Sequence, residues 1–347
     1  MLTLRFPACR MVRRAAVLIF LLFPLSLMLP ESAVAQEATP EITPEITAEA
    51  TAEATLPPNV LSEFPGAGRY TIQLPVDERT RSAGVYIPEA YEASSDAFPL
   101  VIVMHGAGGN GSGIESISGF NDLAESEGFI AVYPDGISGV WNDGRTGSVQ
   151  LREIDDVAFI EQMIDFLSGK LNIDARRIYA TGYSMGAMMS YRLACEVPER
   201  IAAVAGVAST MPEYVAPMCV NRMPVPVMIV QGTDDTVVPW TGYMAGRGGY
   251  MSAADSLRYW GWHNNCQTYS GISPQEAVED DGTLVLTQRY TDCTDGADVV
   301  LYGIYYGGHT WPGHPFGSPD TLGVTSMRID ASRVIWAFFD GFEGGES

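Results

Sequence analysis

The pentapeptide Gly182-Tyr183-Ser184-Met185-Gly186 constrains this chain more than any other feature. A serine with glycine two residues to either side suits a turn so tight that a neighbouring side chain would strike the backbone. The flanking residues specify the setting. Arg177-Ile178-Tyr179-Ala180-Thr181 is β-rich, and Ala187-Met188-Met189-Ser190-Tyr191-Arg192-Leu193-Ala194 favours a helix. Strand, sharp turn and helix in that order lift a hydroxyl over the end of a sheet. The bland alternative is a glycine-rich βα turn with an inert serine. What separates the two is whether a base and an acid follow.

The rest of the chain supplies a sheet to carry such a turn. Leu100–Met104 and Phe129–Tyr133 are continuous apolar runs, as expected of strands covered on both faces. Residues 202–208, 226–230 and 299–305 add further strands, and 69–74 with 82–87 read as an antiparallel opening pair. Asp155 or Asp156 caps a helix whose apolar positions Val157, Ile160, Met163, Ile164, Leu167 and Leu171 recur at helical spacing. A closing helix is expected over Ser326–Phe339. Strands alternating with helices predict an α/β fold, a mostly parallel sheet covered by helices on both faces, with functional residues beyond the carboxyl ends of the strands.

Not all 347 residues belong to that fold. Arg5, Arg10, Arg13 and Arg14 precede an apolar run from Ala15 to Leu29, followed by Ala33-Val34-Ala35. Residues 1–35 therefore read as a secretory signal peptide, the apolar core being shorter than the roughly 20 residues of a membrane span and broken by Pro24. Residues 36–58 repeat Thr, Pro, Glu and Ala without an aromatic or a positive charge, and are expected to be a disordered linker. This leaves 59–347 as one α/β domain, secreted, with no membrane span after cleavage.

The formal charge is −22, and four Arg with six Glu fall within residues 1–58, so all but two of the net negative charges lie in the domain. A domain so acidic is a poor partner for nucleic acid or for a polyanionic substrate; a neutral ester or polymer is easier to accommodate. Of five cysteines, Cys9 leaves with the signal peptide. The remaining four allow three pairings, and proximity along the chain favours Cys195–Cys219 and Cys266–Cys293. No Cys or His spacing suggests a metal site, and no cofactor is expected.

A serine becomes a nucleophile only beside a base, and the base needs a partner that fixes its tautomer. Gly232-Thr233-Asp234-Asp235-Thr236-Val237-Val238-Pro239 follows a buried strand and offers two carboxylates; Asp235, in a D-x-x-V-P pattern, is the choice over Asp234. Of four histidines, His309 stands directly after the last strand between Gly308 and Thr310, with His314 its rival. His263 falls in a helix beside Trp260 and Trp262, where packing explains it. The loop His105-Gly106-Ala107-Gly108-Gly109-Asn110-Gly111 follows another strand and frees backbone N–H groups for a developing oxyanion. Ala107, with Gly108 second to it, and Met185 are the expected donors, and the His105 ring is read as bracing the loop. Trp141, Trp240 and Trp311 lie in loops near these segments and are candidates for a substrate-binding aromatic surface.

Five segments together resemble a known family: Met104-His105-Gly106, Tyr133-Pro134-Asp135-Gly136, the Ser184 pentapeptide with Tyr191-Arg192-Leu193-Ala194-Cys195, Gly232-Thr233-Asp234-Asp235 with Val238-Pro239, and Gly307-Gly308-His309-Thr310-Trp311-Pro312-Gly313. From about Tyr70 to Phe339 the chain is similar to secreted α/β-hydrolases of the polyhydroxybutyrate depolymerase and feruloyl esterase type. The resemblance implies the α/β-hydrolase fold, Ser184, Asp235 and His309 as a triad, and the two local disulfides. Ala187 departs from the family's usual glycine, and Gln231 from a common histidine. The expected activity is hydrolysis of carboxylic esters through an acyl-enzyme, first of hydroxycinnamoyl (feruloyl) esters of plant polysaccharide. Poly(3-hydroxybutyrate) and acetylated xylan are the alternatives, and a non-catalytic binding protein on the same scaffold is the contrasting class.

Overall fold

The computed structural model describes residues 64–145, 153–220, 222–243, 248–275 and 281–344. The expected signal peptide and linker, and the first residues of the expected domain, lie outside the described residues.

Ten strands form one sheet: β1 (Gly68–Val76), β2 (Arg79–Ile87), β3 (Phe98–Met104), β4 (Ile130–Pro134), β5 (Ile173–Tyr183), β6 (Ala203–Val207), β7 (Val227–Gly232), β8 (Thr268–Pro274), β9 (Leu284–Thr291) and β10 (Val299–Tyr305). Their order is β1-β2-β4-β3-β5-β6-β7-β10-β9-β8. The six strands from β4 to β10 in that order are parallel, and antiparallel pairs close each side. The fold is that of an α/β-hydrolase.

The central strands are apolar throughout because both faces are covered. On β3, Leu100, Ile102 and Met104 join one core while Val101 and Val103 join the other. Against the first core lie α3 (Asp156–Ser168), α4 (Met185–Glu196) and α5 (Ala253–His263). Against the second lie α1 (Gly111–Ser118), α2 (Phe120–Glu127) and α6 (Ala331–Phe339). Side chains cap the helix starts: Asn110, Asp155, Ser252 and Asp330 each accept a backbone N–H three residues on. Asp155 is thus the cap of α3. Its neighbour Asp156 is buried, and accepts from the Arg81 guanidinium at 2.6 Å and from the Asn142 N–H at 2.6 Å.

One expectation needs correction. The closing helix begins at Ala331, not Ser326. Ser326 is held in the preceding loop, its carbonyl accepting from Gly313 and its hydroxyl paired with Thr283, and Asp330 supplies the cap. The β8–β9 pair was not anticipated. Every residue of β8 is exposed, so it shows no apolar alternation, and Gly271 and Pro274 within it read as turn residues.

Both disulfides link the expected partners, Cys195–Cys219 and Cys266–Cys293, spanning 24 and 27 residues. Loops of that length are worth about 3–4 kcal/mol each in the chain-entropy account. The first ties the end of α4 to the loop after β6. Among the described residues, no helix is long and apolar enough to cross a membrane.

Candidate active site

Strand β5 delivers Ser184 to the carboxyl edge of the sheet, and the backbone turns there at φ 54°, ψ −113°. A positive φ is uncommon for serine and marks a constrained position. The Ser184 N–H donates to Val207 O at 2.9 Å, tying the turn to β6. The glycines are required by close approach: a Cβ on Gly186 would lie 2.2 Å from Met104 O, and one on Gly182 would lie 2.5 Å from the Gly186 carbonyl carbon.

Ser184 Oγ is 3.0 Å from His309 Nε2, and His309 Nδ1 is 2.7 Å from Asp235 Oδ2. All three side chains are buried, with Ser184 the most open at 9 % exposure. The structure therefore brings together the three residues singled out from the sequence. The Asp235 carboxylate is fully engaged. Its Oδ1 accepts the N–H groups of Val237 and Val238, each at 2.8 Å, and its Oδ2 accepts from Gln231 Nε2 at 3.0 Å as well as from His309. Asp234 instead points outward to the Thr233 hydroxyl. His314 pairs with Asp330 beside α6, and His263 with Asn264 at the end of α5.

The His309 loop fits because its glycines admit backbone contact. A Cβ on Gly308 would meet Leu322 O at 2.0 Å, and one on Gly232 would meet Gly307 O at 2.3 Å. The Tyr183 hydroxyl donates to His309 O at 2.7 Å, and the two rings lie 5.0 Å apart. Burial raises the Tyr183 phenol well above its usual range, with the nearby Asp235 charge adding to the shift, so it stays a neutral donor. Sequence reasoning missed this residue, since nothing in the pentapeptide reveals what its hydroxyl reaches.

The loop after β3 wraps over the serine: a Cβ on Gly106 would sit 3.3 Å from that of Ser184. Ala107 is exposed there, and no backbone acceptor is found for its N–H among the described residues. Met185 opens α4, where an N–H has no partner within the helix. Gly108 donates to Gly139 O at 2.7 Å and is thereby occupied. His105 Nε2 accepts the Gly136 N–H at 2.9 Å, so its Nδ1, 2.8 Å from Gly106 O, must carry the proton. Burial lowers its pKa, consistent with a neutral brace. Asp135 pins the far end of the loop, accepting from the Gly111 N–H and the Ser82 hydroxyl. Beside the loop a cavity of about 190 Å³ is lined by Ile114, Ile117 and Tyr183 together with residues 105–110.

The aromatic surface expected from three tryptophans does not form. Trp141 and Trp311 are wholly enclosed. The Trp141 indole donates to His105 O at 2.9 Å, and that of Trp311 to the Ser332 hydroxyl at 3.0 Å. Each polar edge is used internally, so both rings are packing that anchors the loops. Trp240 alone keeps some exposure, resting over Gly303 and 6.1 Å from Tyr305. Among the described residues, no group of three His, Cys, Asp or Glu side chains could hold a metal ion.

Comparison with known proteins agrees with this fold. Residues 149–252 match the Phospholipase/Carboxylesterase family model. Feruloyl esterase B of Piromyces equi is 30 % identical over 240 residues, covering 66 % of this chain but only 42 % of that protein. Feruloyl esterase D of Neurospora crassa is 25 % identical over 284 residues, covering 78 % of this chain and 86 % of its own length. The chain has the α/β-hydrolase fold and is similar to esterases that share it. The fold of this esterase is shared with an acetyl xylan esterase from Aspergillus awamori, at a TM-score of 0.52 and 18 % identity, over 78 % of this chain and 98 % of that one. Carboxylic ester hydrolysis is its chemistry.

Proposed function

We propose that this esterase is a secreted serine hydrolase that cleaves feruloyl (hydroxycinnamoyl) esters of plant polysaccharide through an acyl-enzyme on Ser184. The observation that carries the reading is the unbroken hydrogen-bonded chain from Ser184 Oγ through His309 to Asp235. As the hydroxyl attacks the ester carbonyl, His309 Nε2 takes its proton and then delivers it to the departing alcohol. Asp235 holds the Nδ1–H tautomer and stabilises the imidazolium. The N–H groups of Ala107 and Met185 receive the oxyanion, and a water activated by His309 releases the acid. The feruloyl assignment draws on the relatives that carry that name and on the acidic domain, which suits a neutral polysaccharide better than a polyanion. Export is supported by the two disulfides and by the reading of residues 1–35 as a signal peptide.

Ser184→Ala is expected to lower kcat on methyl ferulate by about 10⁴-fold or more with the fold intact. Turnover close to that of the wild type in a folded variant would reject the mechanism. The substrate is read from a panel of methyl ferulate, hydroxybutyrate trimers and acetylated xylan. Preference for either of the last two would retain the mechanism and replace the feruloyl assignment.

A further inference from the structure

We propose that Gln231 is a positioning residue for the triad acid, its side-chain amide fixing the Asp235 carboxylate to the sheet so that Oδ2 stays aimed at His309. The inference rests on the proposed roles of Ser184, His309 and Asp235. Gln231 is fully buried on β7, opposite Gly303 of β10 in the parallel register. Its Nε2 lies 3.0 Å from Asp235 Oδ2 and 2.8 Å from Val238 O. Both partners can only accept, so the amide has one sensible orientation; half a turn would set its oxygen against a carboxylate and a carbonyl. In the orientation observed, Gln231 Oε1 is buried without a hydrogen-bond partner among the described residues. That unpaired oxygen is a cost to folding. The compensating gain is what the nitrogen does.

The four donors to Asp235 are not equivalent. Val237 and Val238 belong to the aspartate's own turn and would move with it. His309 is the group the carboxylate must orient, so it cannot serve as the reference. Gln231 alone among the four is built into a central strand. It also grips Val238 from the carbonyl side while Asp235 holds its N–H, so the turn hangs from β7 at both points. Without it, rotation of the carboxylate is limited only by partners that can follow it. A misplacement of about 1 Å in such a group costs about 10²-fold in rate.

The test compares Gln231→Leu and Gln231→Glu with the wild type and with Ser184→Ala, on methyl ferulate. In folded Gln231→Leu, kcat should fall about 10²-fold, while KM stays within about threefold. The downfield proton resonance of His309 Nδ1–H should broaden or vanish. Gln231→Glu keeps the shape, but burial and the neighbouring Asp235 hold one shared proton between the two carboxyls, so its kcat should drop below that of the wild type as pH rises and that proton is lost; wild-type kcat at every pH in the folded variant would overturn the proposal. Wild-type kcat in a folded Gln231→Leu would overturn the proposal, as would an equal loss with the His309 resonance unchanged. Should Gln231→Leu not fold, Gln231→Glu decides; failure of both to fold makes Gln231 a folding residue and also overturns it. Activity retained in Ser184→Ala would instead overturn the triad reading beneath it.

Discussion

At the scale of single residues, chemistry and position were written in the chain to different degrees. Ser184, Asp235 and His309 were legible because each is a reactive type placed just beyond a strand, and strand ends gather at one edge of a parallel sheet. Depth was not legible. Trp141 and Trp311 look like site residues in the sequence because they neighbour the candidate catalytic segments, yet both are enclosed. Nor could the role of Tyr183 be read, since its partner is a backbone carbonyl 126 residues away. That hydrogen bond yields a prediction. Tyr183→Phe removes one neutral hydrogen bond, worth about 0.5–1.5 kcal/mol, from the segment that carries the base. The expected result is a fall in kcat of about threefold to tenfold with KM little altered. Steady-state kinetics on methyl ferulate with no change in kcat would show that the His309 loop is held without Tyr183.

At the scale of elements, the central strands were readable as apolar runs because they are covered on both faces, and α3 as a stripe with an acidic cap. Failure came where tertiary pairing, not local pattern, makes the element. The exposed β8 is a strand because it pairs with β9, and the chain from Ser326 to Asp330 is loop because its polar groups are engaged elsewhere. Caps can be tested individually. Ser252 Oγ accepts the Asp255 N–H at 3.0 Å at the head of α5, which packs Leu257 and Trp260 into the core. Ser252→Ala should cost about 1 kcal/mol and lower the melting temperature by about 2–4 °C in a domain of this size. Activity below the transition should be unaffected. An unchanged melting temperature would mean that α5 is held by its packing and that the cap contributes nothing.

At the scale of the whole molecule, the sheet acts as a frame that brings distant segments to one edge. β5 leads to the hydroxyl, the loop after β7 carries the carboxylate and the loop after β10 the imidazole; in the proposed mechanism the loop after β3 adds an N–H donor. The glycines at 182, 186, 232 and 308 are what permit these segments to touch, since a side chain at any of them would strike neighbouring backbone. Substrate choice belongs to a different layer, the loop surfaces, and a general fold does not specify it.

The most direct test of this convergence is covalent labelling by a fluorophosphonate, followed by peptide mapping and repeated on His309→Ala. The account predicts a single adduct on Ser184 in the wild-type protein, formed at least about 10³-fold more slowly when the base is removed. A wild-type protein that takes up no label, an adduct on another residue, or equal labelling rates in the two proteins would contradict it.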